Sequence, residues 1–210
     1  MAINSLEDKI NSIGNPVSML RNAPLGPFQF PIKPEFTNWR DEQEAWRSGA
    51  VLFDQSFHMT DHCIEGPDTK RLLEDLAINS MANFRKDIAK QVVFCNEGGF
   101  IVADAIMFIL EEDKVNIVNK PTNRDWVQYH IETGDYDVSS TTDDRALDNK
   151  GRRLGYRFEV QGPNAWDILE QLNGRPIEGF KFFGMGYINI VGRKVRALRH
   201  GMAGAAGLEL

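Results

Sequence analysis

Two carboxylates stand out because each interrupts a stretch otherwise free of charge. Asp104 lies inside IVADAIMFIL (101–110), where nearly every neighbour is apolar. An unpaired charge is costly to bury, so this Asp either points to solvent or faces a polar ligand. Glu209 sits in GAAGLEL (204–210), where small residues let a ligand approach the backbone. It is either a candidate specificity group or an outward-facing residue of an alternating strand. Asn119 and Arg124, in VNKPTNRD, fall at a strand-to-helix junction and could hold an amide or an anion; helix capping is the alternative. His58 and His62 are at i and i+4, one face of a helix. Their β-branched and aromatic neighbours read instead as a strand, where that spacing is too wide for one metal, so His62 is read as structural or surface and no metal site is expected. There is no Gly-x-Ser-x-Gly elbow, Walker loop, dinucleotide fingerprint or Cys-x-x-Cys pair.

These groups need elements to position them. Pro16, Pro24, Pro27, Pro31 and Pro34 predict an irregular lead-in, with Phe28, Phe30, Ile32 and Phe36 packed on the core. DEQEAWRS (41–48) reads as a short helix, with Gly49 suited to a left-handed position after it. AVLFDQS (50–56) reads as a strand, DTKRLLEDLA as a helix, and QVVFC (91–95) with FIVADAIMFIL as a hairpin. VNIVN (115–119) is a strand that leads into a helix from Thr122 to about Glu132. SSTTDDRALDNKGRR (139–153) reads as a mobile loop or an exposed hairpin arm, and INIVG with RKVRALR as a further hairpin.

One pattern repeats within the chain. IEGPDTKRLLEDLA (64–77) and VQGPNAWDILEQLN (160–173) share Gly-Pro, then Asp or Asn, then Leu-Glu-x-Leu at matching offsets. Each reads as strand, Gly-Pro bend, helix, with Pro near the helix start where its missing N–H costs nothing. Strand-to-helix turns favour Gly-Pro-Asx by themselves. A true repeat predicts an α+β fold in which two similar units pack around one sheet region.

Composition sets the limits. The 210 residues carry 24 Lys+Arg against 30 Asp+Glu, a net charge of −6, which argues against a nucleic-acid partner. No apolar run is long enough to span a membrane, and MAINSLEDKINSIG lacks the apolar segment of a secretory signal. Cys63 and Cys95 form no ligand motif, and the expected compartment is the cytoplasm. The chain stops on Leu210, inside an apolar stretch, as expected of an N-terminal fragment.

In combination, LFDQSFHM, the IEGPD turn, NEGGFIVAD, VNKPTNRD, VQGP and RHGMAGAAGLE resemble the glycine-cleavage T-protein (aminomethyltransferase) family. The resemblance runs from about Glu42 to the last residue. It implies an irregular lead-in over 1–40 and, over 41–210, an α+β folate-binding core, incomplete at its C-terminus and lacking the family's C-terminal β-barrel. Three departures stand out. Ala103 replaces the first Asp of an Asp pair, Met202-Ala203-Gly204-Ala205 replaces Tyr-Thr-Gly-Glu, and Phe57 splits the Ser-His-Met motif. They point toward the branch of tetrahydrofolate-dependent aryl O-demethylases acting on methoxylated benzoates.

Within that resemblance Glu209 accepts hydrogen bonds from the pterin, Asp104 sits near the reacting face as the catalytic carboxylate, and Asn119 assists. Gln55 and His58 address the aromatic substrate's oxygens, Arg124 pairs with its carboxylate, and the proton donor is a tyrosine beyond the end of this chain. Two other readings remain, a glycine-cleavage-type aminomethyltransferase and a non-catalytic folate-binding accessory protein. Oligomeric state is not legible.

Overall fold

A computed structural model describes residues 5–17, 36–145, 152–201 and 204–210. The lead-in departs from its irregular reading: Leu6–Ile13 forms helix α1, its N-terminus capped by the Ser5 hydroxyl, which accepts from Asp8 N at 3.0 Å. Phe36 is 99% exposed rather than packed. Phe28, Phe30, Ile32 and the prolines from Pro24 to Pro34 lie outside the described residues. Helix α2 (Trp39–Ser48) begins where the Asn38 side chain accepts from the backbone N–H groups of Arg40 and Asp41, both at 3.1 Å. Gly49 after it has φ −138, not a left-handed value; its N–H closes the helix on Ala45 O at 2.8 Å.

Among the described residues ten strands form two antiparallel five-stranded sheets. In chain order they are β1 (Val51–Asp54), β2 (Thr60–Glu65), β3 (Ile88–Cys95), β4 (Ile101–Glu111) and β5 (Lys114–Asn119). There follow β6 (Ser139–Asp143), β7 (Phe158–Gln161), β8 (Met185–Ile190), β9 (Arg193–Leu198) and β10 (Gly207–Glu209). The first sheet has the order β3-β4-β5-β2-β6, and the second β8-β9-β10-β7-β1. Helices α3 (Thr69–Leu76) and α4 (Pro121–Thr133) cover the first sheet, and α5 (Ala165–Asn173) the second. The two Gly-Pro units thus organise separate sheets rather than one shared sheet region. The polar segment read as a loop or exposed arm supplies edge strand β6, paired with β2 from Asp61↔Asp143 to Glu65↔Ser139.

Connectivity repeats between the sheets, with one exchange. In each, the strand before the Gly-Pro bend (β2 or β7) is followed by a helix and then by three strands that complete the ladder. The edge strand comes from the other half: β1 precedes β2 in sequence yet pairs with β7, and β6 precedes β7 yet pairs with β2. The bends explain how these edges seat. Gly66 and Gly162 have φ of 152 and 130, and a Cβ there would lie 2.3 Å from Asp137 O and 2.4 Å from Gly49 O. Only glycine lets the backbone leading into each edge strand pass so close.

Strand alternation divides the apolar residues between three cores. Ile64, Met107, Ile109 and Ile117 face α3 and α4; Val160, Ala197 and Leu208 face α5. Phe108, Val118 and Ala89 turn the other way and meet Met185 and Leu198, joining the inner faces of the two sheets.

Gly162→Ala tests the exchanged edge. The added methyl meets backbone on both sides, so denaturant unfolding is expected to show a loss of roughly 2 kcal/mol or more. Gly155→Ala, whose Cβ meets nothing within 4 Å, should stay within about 0.5 kcal/mol of the parent.

Candidate functional site

Val160 and Leu208 point toward α5, so Glu159, Gln161 and Glu209 project from the opposite, inner face of the second sheet. Glu209 and Glu159 are direct cross-strand partners between β10 and β7. Both are buried, at 8% and 0% exposure, which places two like charges side by side out of water.

Each is held by a different set of groups. Glu159 accepts at Oε2 from the amide of Gln55, which follows β1, and at Oε1 from the amide of Gln161. Arg157 Nε lies 3.2 Å from Glu209 Oε1, while its Nη2 donates to Asp61 Oδ1 at 2.7 Å. His200 stands between the acids, with Nδ1 3.6 Å from Glu209 Oε2 and 3.8 Å from Glu159 Oε1.

The arrangement spans both sheets. Asp61, on the inner face of β2, also pairs with Arg153, whose side chain is 3% exposed and donates to the carbonyls of Met59, Asp143 and Asp144. Arg157 covers the Phe108 ring at 4.8 Å. A chain of ionic contacts therefore runs from the first sheet through Asp61 and Arg157 to Glu209 on the second.

Burial, then the Glu209 charge, pushes Glu159 up to about 7. The neighbouring Glu209 carboxylate raises the His200 imidazole above its usual value against the opposing effect of burial. Burial and the Arg157 charge lower that of His58, which sits in the turn between β1 and β2. Gln161 Oε1 and Glu209 Oε1 are buried acceptors with no aligned donor, a state that N–H groups of a ligand would satisfy.

Of the residues singled out in sequence, Glu209, Gln55 and His58 come together in this cluster. Asp104 is exposed and accepts only weakly from Gln91 Nε2, at 3.3 Å. Alternation along β4 puts it on the same inner face as Ile106 and Phe108, toward the open end of the sheet. Asn119 falls on the other face, with Ile117, and accepts from Lys120 N at 2.6 Å. Arg124, on α4, pairs with Asp125 at 2.8 Å and with Asp144 at 3.9 Å. His62 is buried against the α4 side and held by burial down to about 4, so it is an uncharged interior group. Among the described residues no group of three His, Cys, Asp or Glu side chains is arranged to hold a metal ion.

Sequence reading passed over Glu159, Gln161, Arg157, Asp61 and His200. A signal was present in RFEVQGP: Arg157, Glu159 and Gln161 alternate with Phe158 and Val160, which marks a strand with one wholly polar face. Asp61 carried no such mark because Arg153 and Arg157 are distant in sequence, and no periodic pattern links His200 to Glu209.

A raised acid binds its proton more tightly folded than unfolded. Glu159 therefore contributes stability below its unfolded value near 4.5 that is lost as pH rises through about 7. Unfolding free energies measured between pH 4.5 and 7.5 should fall, by at most about 3 kcal/mol at ~1.4 kcal/mol per pH unit. Glu159→Gln should flatten that decline; an unchanged slope would contradict the assignment.

Comparison with known proteins places the chain in a family. Residues 23–210 match the GCVT N-terminal domain. The chain is 45% identical over 208 residues to syringate O-demethylase of Sphingobium sp. (strain NBRC 103272 / SYK-6), covering 98% of this chain and 45% of that protein. It is 29% identical to an aminomethyltransferase of Lysinibacillus sphaericus (strain C3-41), covering 90% of this chain and 50% of the relative. Among solved structures, glycine cleavage system aminomethyltransferase T from Bartonella henselae superposes with a TM-score of 0.62 at 22% identity, over 80% of this chain and 43% of the other. The chain spans about half the length of the curated relatives it matches. No described helix is long and apolar enough to cross a membrane. The chain belongs to the GCVT N-terminal domain family.

Proposed function

We propose that the protein carrying this chain transfers a methyl group from a methoxylated aromatic acid to tetrahydrofolate. The observation that carries the reading is the buried pair Glu159 and Glu209 on a shared inner face, with acceptor atoms left over at Gln161 and Glu209. A reduced pterin edge presents ring N–H and amino groups, which are donors that such acceptors fit. The 45% identity to a syringate O-demethylase favours an aromatic methyl ether as donor.

When bound, tetrahydrofolate supplies N5 as the methyl acceptor. Glu209 would accept from the pterin N–H groups and fix the ring plane, since Arg157 and His200 hold its carboxylate in place. Gln161 Oε1 is positioned to accept a further bond. In-line displacement requires the ether oxygen, the methyl carbon and N5 to be nearly collinear, so orientation is most of what these residues contribute. Asp104, exposed at the open end of the same face, would position N5 or a water. His58 and Gln55 would address the substrate's oxygens, and Arg124, 3.9 Å from Asp144, would turn to its carboxylate. The leaving phenolate, with a conjugate acid near 10 by analogy with tyrosine, calls for a proton donor, which we assign to residues of the complete protein outside this chain. We also infer that the repeated sheets descend from an internal duplication, and that the site formed where their inner faces meet.

A second reading is aminomethyl transfer, favoured by the 29% identity to an aminomethyltransferase. Incubating the complete protein with tetrahydrofolate and syringate, vanillate or 3-O-methylgallate should yield 5-methyltetrahydrofolate and the phenol. Asp104→Ala and Glu209→Ala should each cost roughly 100-fold in kcat/KM. Turnover only with an aminomethyl-lipoyl carrier would establish the second reading. Folate binding without either transfer would mark an accessory protein.

A further inference from the structure

We propose that His200 is a positioning residue that bridges the two buried carboxylates in the free protein and gives up its proton when the folate ligand engages Glu209. The proposal rests on the folate reading given above. Its basis is the geometry of the pair. Glu159 has both oxygens occupied by the amides of Gln55 and Gln161. Glu209 has Arg157 on Oε1, and Oε2 faces His200 at 3.6 Å. With Glu209 only 8% exposed and Oε1 lacking an aligned donor, N–H groups that reach the carboxylate arrive beside the oxygen that the imidazole faces and compete for the same charge.

The ring is built to stay in place. It stacks on Phe183, with ring centroids 5.4 Å apart and 24° between planes, and Phe183 in turn stacks on Phe182 at 4.5 Å. Phe183 holds φ at 57, a left-handed value uncommon for a bulky residue, and its N–H donates to Arg199 O at 2.9 Å, next to His200. His200 Nδ1 is buried with no aligned hydrogen-bond acceptor, so its attraction to the acids is ionic rather than a fixed bond.

The charged surroundings are mixed. Glu159 on β7 and Glu209 on β10 favour the imidazolium. Arg157 beside β7 is held to Glu209 and to Asp61 on β2, whose second partner is Arg153. His58, in the β1–β2 turn, feels the same arginines. Once ligand N–H groups draw on the Glu209 carboxylate and exclude water, the imidazolium faces a weaker partner and deeper burial, which disfavours its charge, while the arginines remain. The proton then leaves Nδ1 for solvent.

Calorimetric titration of the complete protein with 5-methyltetrahydrofolate at pH 7, in buffers of different ionisation enthalpy, counts the protons exchanged. The parent protein should release a fraction of a proton on binding, part of it from Glu159, and His200→Gln should lower that release while weakening binding. Because the variant could perturb folding, the His200 imidazole is also followed by NMR in the parent protein, where its pKa should drop on addition of the ligand. Proton release equal in parent and variant, proton uptake in the parent, or an imidazole whose titration the ligand does not move would overturn the proposal and leave the folate reading intact. Absence of any binding by the parent protein would overturn both.

Discussion

Two carboxylates facing each other across adjacent strands and out of water are the constraint around which the rest of the site is arranged. Left alone, such a pair would hold only one charge. Here the repulsion is met by Gln55, Gln161, Arg157 and His200, with Asp61 holding Arg157 in place from the other sheet. None is near Glu209 in sequence except His200. The fold can be understood as the means of delivering these groups to one face.

The delivery depends on the exchanged edge strands. Because β1 crosses to pair with β7, its C-terminal end brings Gln55 to Glu159 and leads into the turn carrying His58. β6 crosses to β2 in the same way, and the segment after it returns Arg153 to Asp61 and Arg157 to the start of β7. The glycines at the two bends admit those edges at separations no side chain would tolerate. A local steric condition thus controls the electrostatics of a site assembled from both halves.

Much of the scaffold was legible because it rests on local patterns. The helical spacing of Leu72, Leu73 and Leu76, the alternation through β4, and the Gly-Pro-Asx bends all read correctly from neighbouring residues. Glu209 was recognisable as an acid among small residues, and it is buried. What failed to read was long-range. Ser139–Asp143 is polar enough to pass for a loop, yet β2 gives it a ladder. Arg153 looked like part of that loop, but its guanidinium is buried among carbonyls and Asp61. Asp104 was equally compatible with solvent and with a ligand; in the fold it is exposed while sharing the inner face, because that face opens at its end of β4.

The proposed folate site lies on the inner face of the second sheet. A crystal structure of the complete protein with 5-methyltetrahydrofolate bound tests that proposal most directly. The pterin edge should lie within about 3 Å of the Glu209 carboxylate, a hydrogen-bond distance, with Gln161 Oε1 accepting a further N–H. A pterin bound elsewhere, with Glu209 still engaged only by Arg157 and His200, would contradict the account.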